Sequence, residues 1–144
     1  MTDRPFLLDL NVLIALTWPN HVHHRRAQSW FGSIDAPWAT TPMTEAGFLR
    51  LSTNEHVVGD AATMTEALSL LGLIRSLPRH IFIADGSSLG DPEISLSGLT
   101  TAKQVTVVHL VNATAANGAV LATLDKSILT YLEAVDRKHV LLIP

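Results

Sequence analysis

The sequence predicts an α/β domain: a small, mainly parallel sheet flanked by helices on both faces. Three observations predict it. Short apolar runs alternate along the chain with longer stretches whose apolar residues recur at helical spacing. No repeat, low-complexity block or long linker divides the 144 residues, so 1–144 reads as one domain, long enough to bury one core. Hydrophobic residues make up 47% of the chain, too many for a disordered segment.

The elements follow in order. Strands are read at 5–9 (PFLLD), 36–40 (APWAT), 80–84 (HIFIA), 119–124 (AVLATL) and 139–143 (HVLLI). Helices fit 11–18, 20–32, 42–53, 62–76 and 106–117, with a weaker one at 126–134. Asn20 is placed to cap the second helix, and Thr41 followed by Pro42 to open the third. Thr106 reads as the cap of the helix over 106–117, and Asn117-Gly118 as its stop. The Gly- and Ser-rich stretch 85–101 reads as an irregular connection.

Composition excludes several classes. There is no cysteine, so neither disulfides nor thiolate metal sites exist. The longest apolar runs fall far short of the roughly 20 residues of a membrane span. "MTDRPFLLDLN" places an acid before its apolar run and lacks a small-residue cleavage site, unlike a secretory leader, and the expectation is a cytoplasmic protein. Ten Lys and Arg face thirteen Asp and Glu, for a formal charge of −3. A general nucleic-acid binder is usually basic, so a polyanionic substrate would need a local basic patch, a bound cation or a basic partner.

In a parallel α/β sheet, chemistry collects outside the carboxyl ends of the strands. Asp9 ends the first strand, Asp125 ends "AVLATL", and Glu45 lies in the first turn of the helix after "WATT". Each has an ordinary reading as a helix cap, turn residue or solvated charge. Three acids converging on one sheet edge would repel one another, and a shared cation compensates them. Carboxylates without His or Cys point to a hard ion, Mg²⁺ or Mn²⁺. Asn11 reads as a cap or an orienter of the site; Thr123 and Ser127 flank Asp125 and can hydrogen-bond it. Asp85, Asp91 and Glu93 read as solvated loop acids, and Glu133 and Asp136 as surface charges. Arg25, Arg50 and Lys126 are the leading candidates for RNA contact if the polyanion is RNA, with Arg26 and Lys103 behind them. His21, His23 and His24 suggest zinc, but no further ligand is evident nearby.

Three ordered stretches, "FLLDLNVLIALTWPNHVHHRRAQSWF", "WATTPMTEAGFLRL" and "GAVLATLDKS", resemble the VapC toxins, PIN-domain ribonucleases of bacterial toxin–antitoxin modules. The resemblance covers nearly the whole chain. It implies a PIN-like fold and Mg²⁺- or Mn²⁺-dependent hydrolysis of RNA, tRNA or rRNA in particular. It also implies a VapB-type antitoxin partner and a homodimer. Asp9, Glu45 and Asp125 match the family's first, second and last acids. The family pattern carries another Asp in a V-T-D motif, where this chain reads "VTV" with Val107. Val107 either simply packs in register with Leu110 and Thr114 or replaces a metal-site Asp, which would impair this chain. A catalytically inactive module that binds antitoxin or RNA is the alternative. A haloacid-dehalogenase scheme fits less well, since its second Asp is Asn11 here, and no nucleotide-binding glycine motif occurs.

Overall fold

A computed structural model describes residues 4–144; residues 1–3, and the parts of the domain and leader readings that fall on them, lie outside the described residues. The five strands are β1 (Phe6–Leu8), β2 (Trp38–Thr40), β3 (His80–Phe82), β4 (Val120–Thr123) and β5 (Val140–Leu142). The helices are α1 (Leu10–Thr17), α2 (His24–Ser33), α3 (Pro42–Ser52), α4 (Glu55–Val58), α5 (Met64–Ser76) and α6 (Val105–Ala116). Every paired strand is parallel, in the order β3-β2-β1-β4-β5.

Alternation along the strands builds two cores, as a parallel sheet covered on both faces requires. Leu7, Ala39 and Leu121 pack on one face with Val108 and Val111 of α6. Leu8, Trp38 and Ala122 pack on the other with Val12, Trp30 and Phe48 of α1, α2 and α3. The chain runs outward from β1 to β2 and β3, then returns beside β1 as β4 and continues to β5. Strand order therefore reverses between β1 and β4, where open α/β sheets place their ligand crevice. Asp9 and Asp125 leave the sheet at that point.

Several boundaries differ from those read in the sequence. α2 begins at His24, because Asn20 donates its amide to the Val58 carbonyl (3.1 Å) instead of capping a helix. α6 begins at Val105, preceded by a 3₁₀ turn over Ala102–Gln104. Thr101, with Gln104 folded back on its N–H, opens this segment, so Thr106 is not a cap. In place of the weak helix at 126–134 is a 3₁₀ turn over Lys126–Tyr131, and a second 3₁₀ turn, Ala134–His139, follows it. Short α4 carried no periodic signal.

The connection over 85–101 is irregular but well anchored. Asn112, fully buried, accepts the Glu93 N–H (2.7 Å). Asp136 is buried and accepts the Ser95 N–H (2.9 Å), so it is no surface charge; exposed Glu133 accepts the Ser97 hydroxyl. Gly98 lies against the 3₁₀ turn after Asp125: a Cβ there would stand 2.0 Å from the Tyr131 carbonyl oxygen. Backbone on both sides cannot yield cheaply. Gly98→Ala is expected to cost about 2 kcal/mol or more, a Tm fall of roughly 4–8 °C in thermal unfolding.

Asp85 is also no free loop acid. His109 of α6 donates Nε2–H to its Oδ2 (2.6 Å), and Ser87 donates both N–H and O–H to its Oδ1. Burial pulls the Asp85 carboxyl up, but the Ser87 and His109 hydrogen bonds outweigh it and hold it below its ordinary 3.8. An acid depressed in the folded state adds stability above its unfolded pKa and loses it as pH falls through the folded value. Asp85→Asn should therefore cost about 1 kcal/mol in urea unfolding at neutral pH. As pH falls below 3.8 and through the lower folded value, the gap to the natural chain should close.

Candidate functional site

The end of β1 turns directly into α1, and Asp9 is the hinge. Its extended backbone (φ −61°, ψ 154°) makes it the N-cap, with Oδ1 accepting the Leu10 N–H at 2.7 Å. Oδ2 accepts the Thr123 hydroxyl at 2.7 Å and the Asn11 amide at 3.4 Å. Asn11 also donates to Thr123 Oγ1 (3.3 Å) and accepts the Leu124 N–H (3.2 Å), tying α1 to the end of β4. Thr123 Oγ1 in turn accepts the Asp125 N–H at 3.1 Å. Asp125 caps the following 3₁₀ turn, its Oδ1 accepting the N–H (2.9 Å) and hydroxyl (2.6 Å) of Ser127. Asp9, Asn11, Thr123, Asp125 and Ser127 thus form one network.

The electrostatics of this network are unbalanced. Asp9 is only 9% exposed, and its donors are all neutral N–H and O–H groups. Among the described residues the two ion pairs are Arg75–Glu45 and His109–Asp85, and neither touches Asp9. Burial pushes the Asp9 carboxyl above its ordinary 3.8; its hydrogen bonds oppose this, and the charge of Asp125 adds to it. A buried carboxylate without a countercharge is costly unless a cation is bound there.

Beside Asp9 a cavity of about 360 Å³ opens between α1, α3 and α6, bordered by Met43, Arg50, Lys103, Thr106 and Val107. Val107 is partly buried at this point. It packs against the core that holds Leu110, and it presents methyl groups to the space beside Asp9. Arg50 and Lys103 bring positive charge to the mouth. Exposed Lys126 follows Asp125, exposed Arg25 lies on α2, and Arg26 is spent on the Ile143 and Pro144 carbonyls.

Glu45 is not brought into the network. Its Oε2 accepts the Thr40 hydroxyl at 2.6 Å and Arg75 Nη1 at 2.7 Å, on the flank formed by β2, β3 and α5. His80 Nε2 lies 2.7 Å from the same Thr40 oxygen. That hydroxyl has one proton, given to Glu45, so His80 donates to it. Among the described residues no three His, Cys, Asp or Glu side chains gather as a metal cluster, and His21, His23 and His24 form none. Thr40, Arg75 and His80 escaped the sequence reading, since nothing local marks a contact between residues 45 and 75.

The sequence matches known proteins along most of its length. It is 40% identical to Ribonuclease VapC38 of Mycobacterium tuberculosis over 125 residues, 86% of this chain and 87% of that protein. To Ribonuclease VapC39 of the same organism it is 41% identical over 128 residues, 85% and 89% of the two chains. The chain belongs to the VapC ribonuclease family. Ribonuclease VapC44, also from Mycobacterium tuberculosis, is 33% identical over 136 residues, 92% of this chain and 95% of that one. No family model matches the chain. As a VapC-family chain it is a PIN-domain endoribonuclease of the toxin–antitoxin class, and the parallel sheet with helices on both faces is the fold expected of it. No helix among the described residues is long and apolar enough to cross a membrane.

Proposed function

We propose that this chain is the toxin of a toxin–antitoxin pair whose RNA-hydrolysing site is built around a divalent cation, and that Val107 leaves that site impaired. The uncompensated, buried carboxylate of Asp9 carries the reading. Its donor chemistry fits: Asp9 and Asp125 offer hard oxygens, and Mg²⁺ is commonly held by one or two carboxylates with water and substrate phosphate completing the shell. Mn²⁺ suits the same donors. When bound, such an ion lowers the pKa of a water and stabilises charge on a phosphoryl oxygen.

The residues of the chain supply the rest. Thr123 and Asn11 fix the Asp9 carboxylate by donating to Oδ2, and Ser127 fixes Asp125 through Oδ1, so that Oδ2 of Asp125 takes no hydrogen bond among the described residues and can receive a ligand. Arg50 and Lys103 can draw an RNA phosphate toward the cavity; Lys126 and Arg25 are further contacts along the strand. Glu45 would join as a third acid or orient a water once released from Arg75. Val107 offers no oxygen where the family pattern has an acid.

A VapB-type antitoxin and a second copy of this chain are the proposed partners. Supporting both is apolar surface left open on α5 and β3, where Leu68, Leu73 and Phe82 are each more than two-fifths exposed. The activity is tested by incubating labelled tRNA and rRNA with this chain and with Val107→Asp, in Mg²⁺ and in EDTA. Cleavage that needs the cation supports the reading. Equal cleavage in EDTA overturns it, and binding of RNA without cleavage by either chain favours the non-cutting module.

A further inference from the structure

Glu45 and the Asp9–Asp125 pair start from neighbouring strands at the same sheet edge, yet only the pair is joined. What separates them is a specific set of contacts. Arg75, from the last turn of α5, crosses the face of Phe82, its guanidinium carbon 4.6 Å from the ring centroid, and donates to Glu45 Oε2 at 2.7 Å. Thr40 donates to the same oxygen, backed by His80. Glu45 Oε1 has no hydrogen bond among the described residues. One oxygen is held from the α5 flank and the other is free.

We propose that Arg75 is a positioning residue that withholds Glu45 from the divalent-cation site, so that the third acid joins only when Arg75 is drawn off. The inference rests on the reading of Asp9 and Asp125 as a cation site. Its physical basis is a competition for one carboxylate. A third carboxylate beside an ion-free Asp9–Asp125 pair would add repulsion to a site that already lacks countercharge, while Arg75 and Thr40 offer Glu45 charge-assisted partners. The Glu45 side chain is 15% exposed and that of Arg75 is 42% exposed. Glu45 is therefore shielded, whereas the guanidinium stays open to an incoming anion. A phosphodiester is a natural competitor, because the Arg fork matches phosphate as well as carboxylate. Substrate that captures Arg75 frees Glu45 to complete the ion's shell, coupling assembly of the site to arrival of RNA.

The test is Mn²⁺ titration of the full chain, followed by calorimetry without RNA, on the natural sequence, Asp9→Asn, Arg75→Gln, Arg75→Lys, Glu45→Gln and the Arg75→Gln/Glu45→Gln double variant. Arg75→Gln is expected to bind Mn²⁺ about tenfold more tightly, a gain that the double variant lacks. Arg75→Lys, which keeps the charge and less of the geometry, should fall between the natural chain and Arg75→Gln and guards against a folding defect. Unchanged or weaker Mn²⁺ binding in Arg75→Gln overturns the inference, as does an equal gain in the double variant. Mn²⁺ binding that is lost in Asp9→Asn but indifferent to Arg75 ends the inference and leaves the cation-site reading intact. Absence of Mn²⁺ binding in every variant overturns both.

Discussion

Val107→Asp should raise Mg²⁺-dependent RNA cleavage by roughly 100-fold or more, since even groups that only orient a metal ligand are worth 10–100-fold. Val107 borders the same cavity as Asp9, so an acid there would add the oxygen that the family pattern supplies. The gain should come with a cost in stability. Val107 packs partly buried against the core of α6, and replacing it by Asp forfeits about 1–2 kcal/mol of apolar burial. It also sets a second negative charge beside a carboxylate whose pKa is already raised. Without a cation, Tm should fall by roughly 3–6 °C, and millimolar Mg²⁺ or Mn²⁺ should restore much of that loss by binding only the folded chain. Val107→Asn separates the two effects: it loses packing but adds no charge, so it should gain little cleavage and show little rescue by Mg²⁺. Cleavage by Val107→Asp no faster than that of the natural chain would falsify the missing-ligand explanation. Gel analysis of cleaved RNA beside thermal unfolding provides both readouts.

Much of this arrangement was legible because it is local. β1, β2 and β4 are short, largely apolar runs whose successive side chains face opposite cores, so Leu7 and Leu8 belong to opposite faces without any long-range information. Asp9 and Asp125 are legible for a related reason, as acids placed where a strand stops. What failed was non-local. Asn20 looks like a cap until Val58 offers its carbonyl from 38 residues away. Asp85 and Asp136 look solvated until α6 and the loop over 85–101 close around them. Glu45 looks like a member of the acid cluster, and only the packing of α5 against α3 brings Arg75 within reach to hold it. Charge type and position could be read from the sequence; which partner takes each charge could not.

Asp9 provides the other large effect, and its sign follows from linkage. Its folded pKa lies above the ordinary 3.8, with burial the main cause. At neutral pH the folded chain therefore carries an ionised carboxylate that the unfolded chain would hold more cheaply. As pH falls through the folded pKa, the native state takes up its proton before the unfolded state does, and this penalty disappears. The natural chain should accordingly gain stability relative to Asp9→Asn between neutral pH and about pH 4, by about 1.4 kcal/mol for each unit that the pKa is raised. Asp85, held by Ser87 and His109 rather than by Asp9, contributes to both proteins and cancels from the difference. A divalent cation removes the same penalty by a different route. At a hundred times its Kd it should stabilise the natural chain by about 2.7 kcal/mol at pH 7, and much less at pH 4, where Asp9 is closer to neutral. Asp9→Asn should show neither the pH gain nor the cation effect. In the Val107→Asp background it should abolish cleavage, because it removes the carboxylate proposed to hold the cation at the reversal between β1 and β4. Thermal unfolding of both proteins at several pH values, with and without Mg²⁺, measures every term. A cation effect that survives in Asp9→Asn at full size would move the site elsewhere. Parallel pH profiles for the two proteins would mean that burial does not penalise this carboxylate, and the case for a compensating ion at Asp9 would lose its foundation.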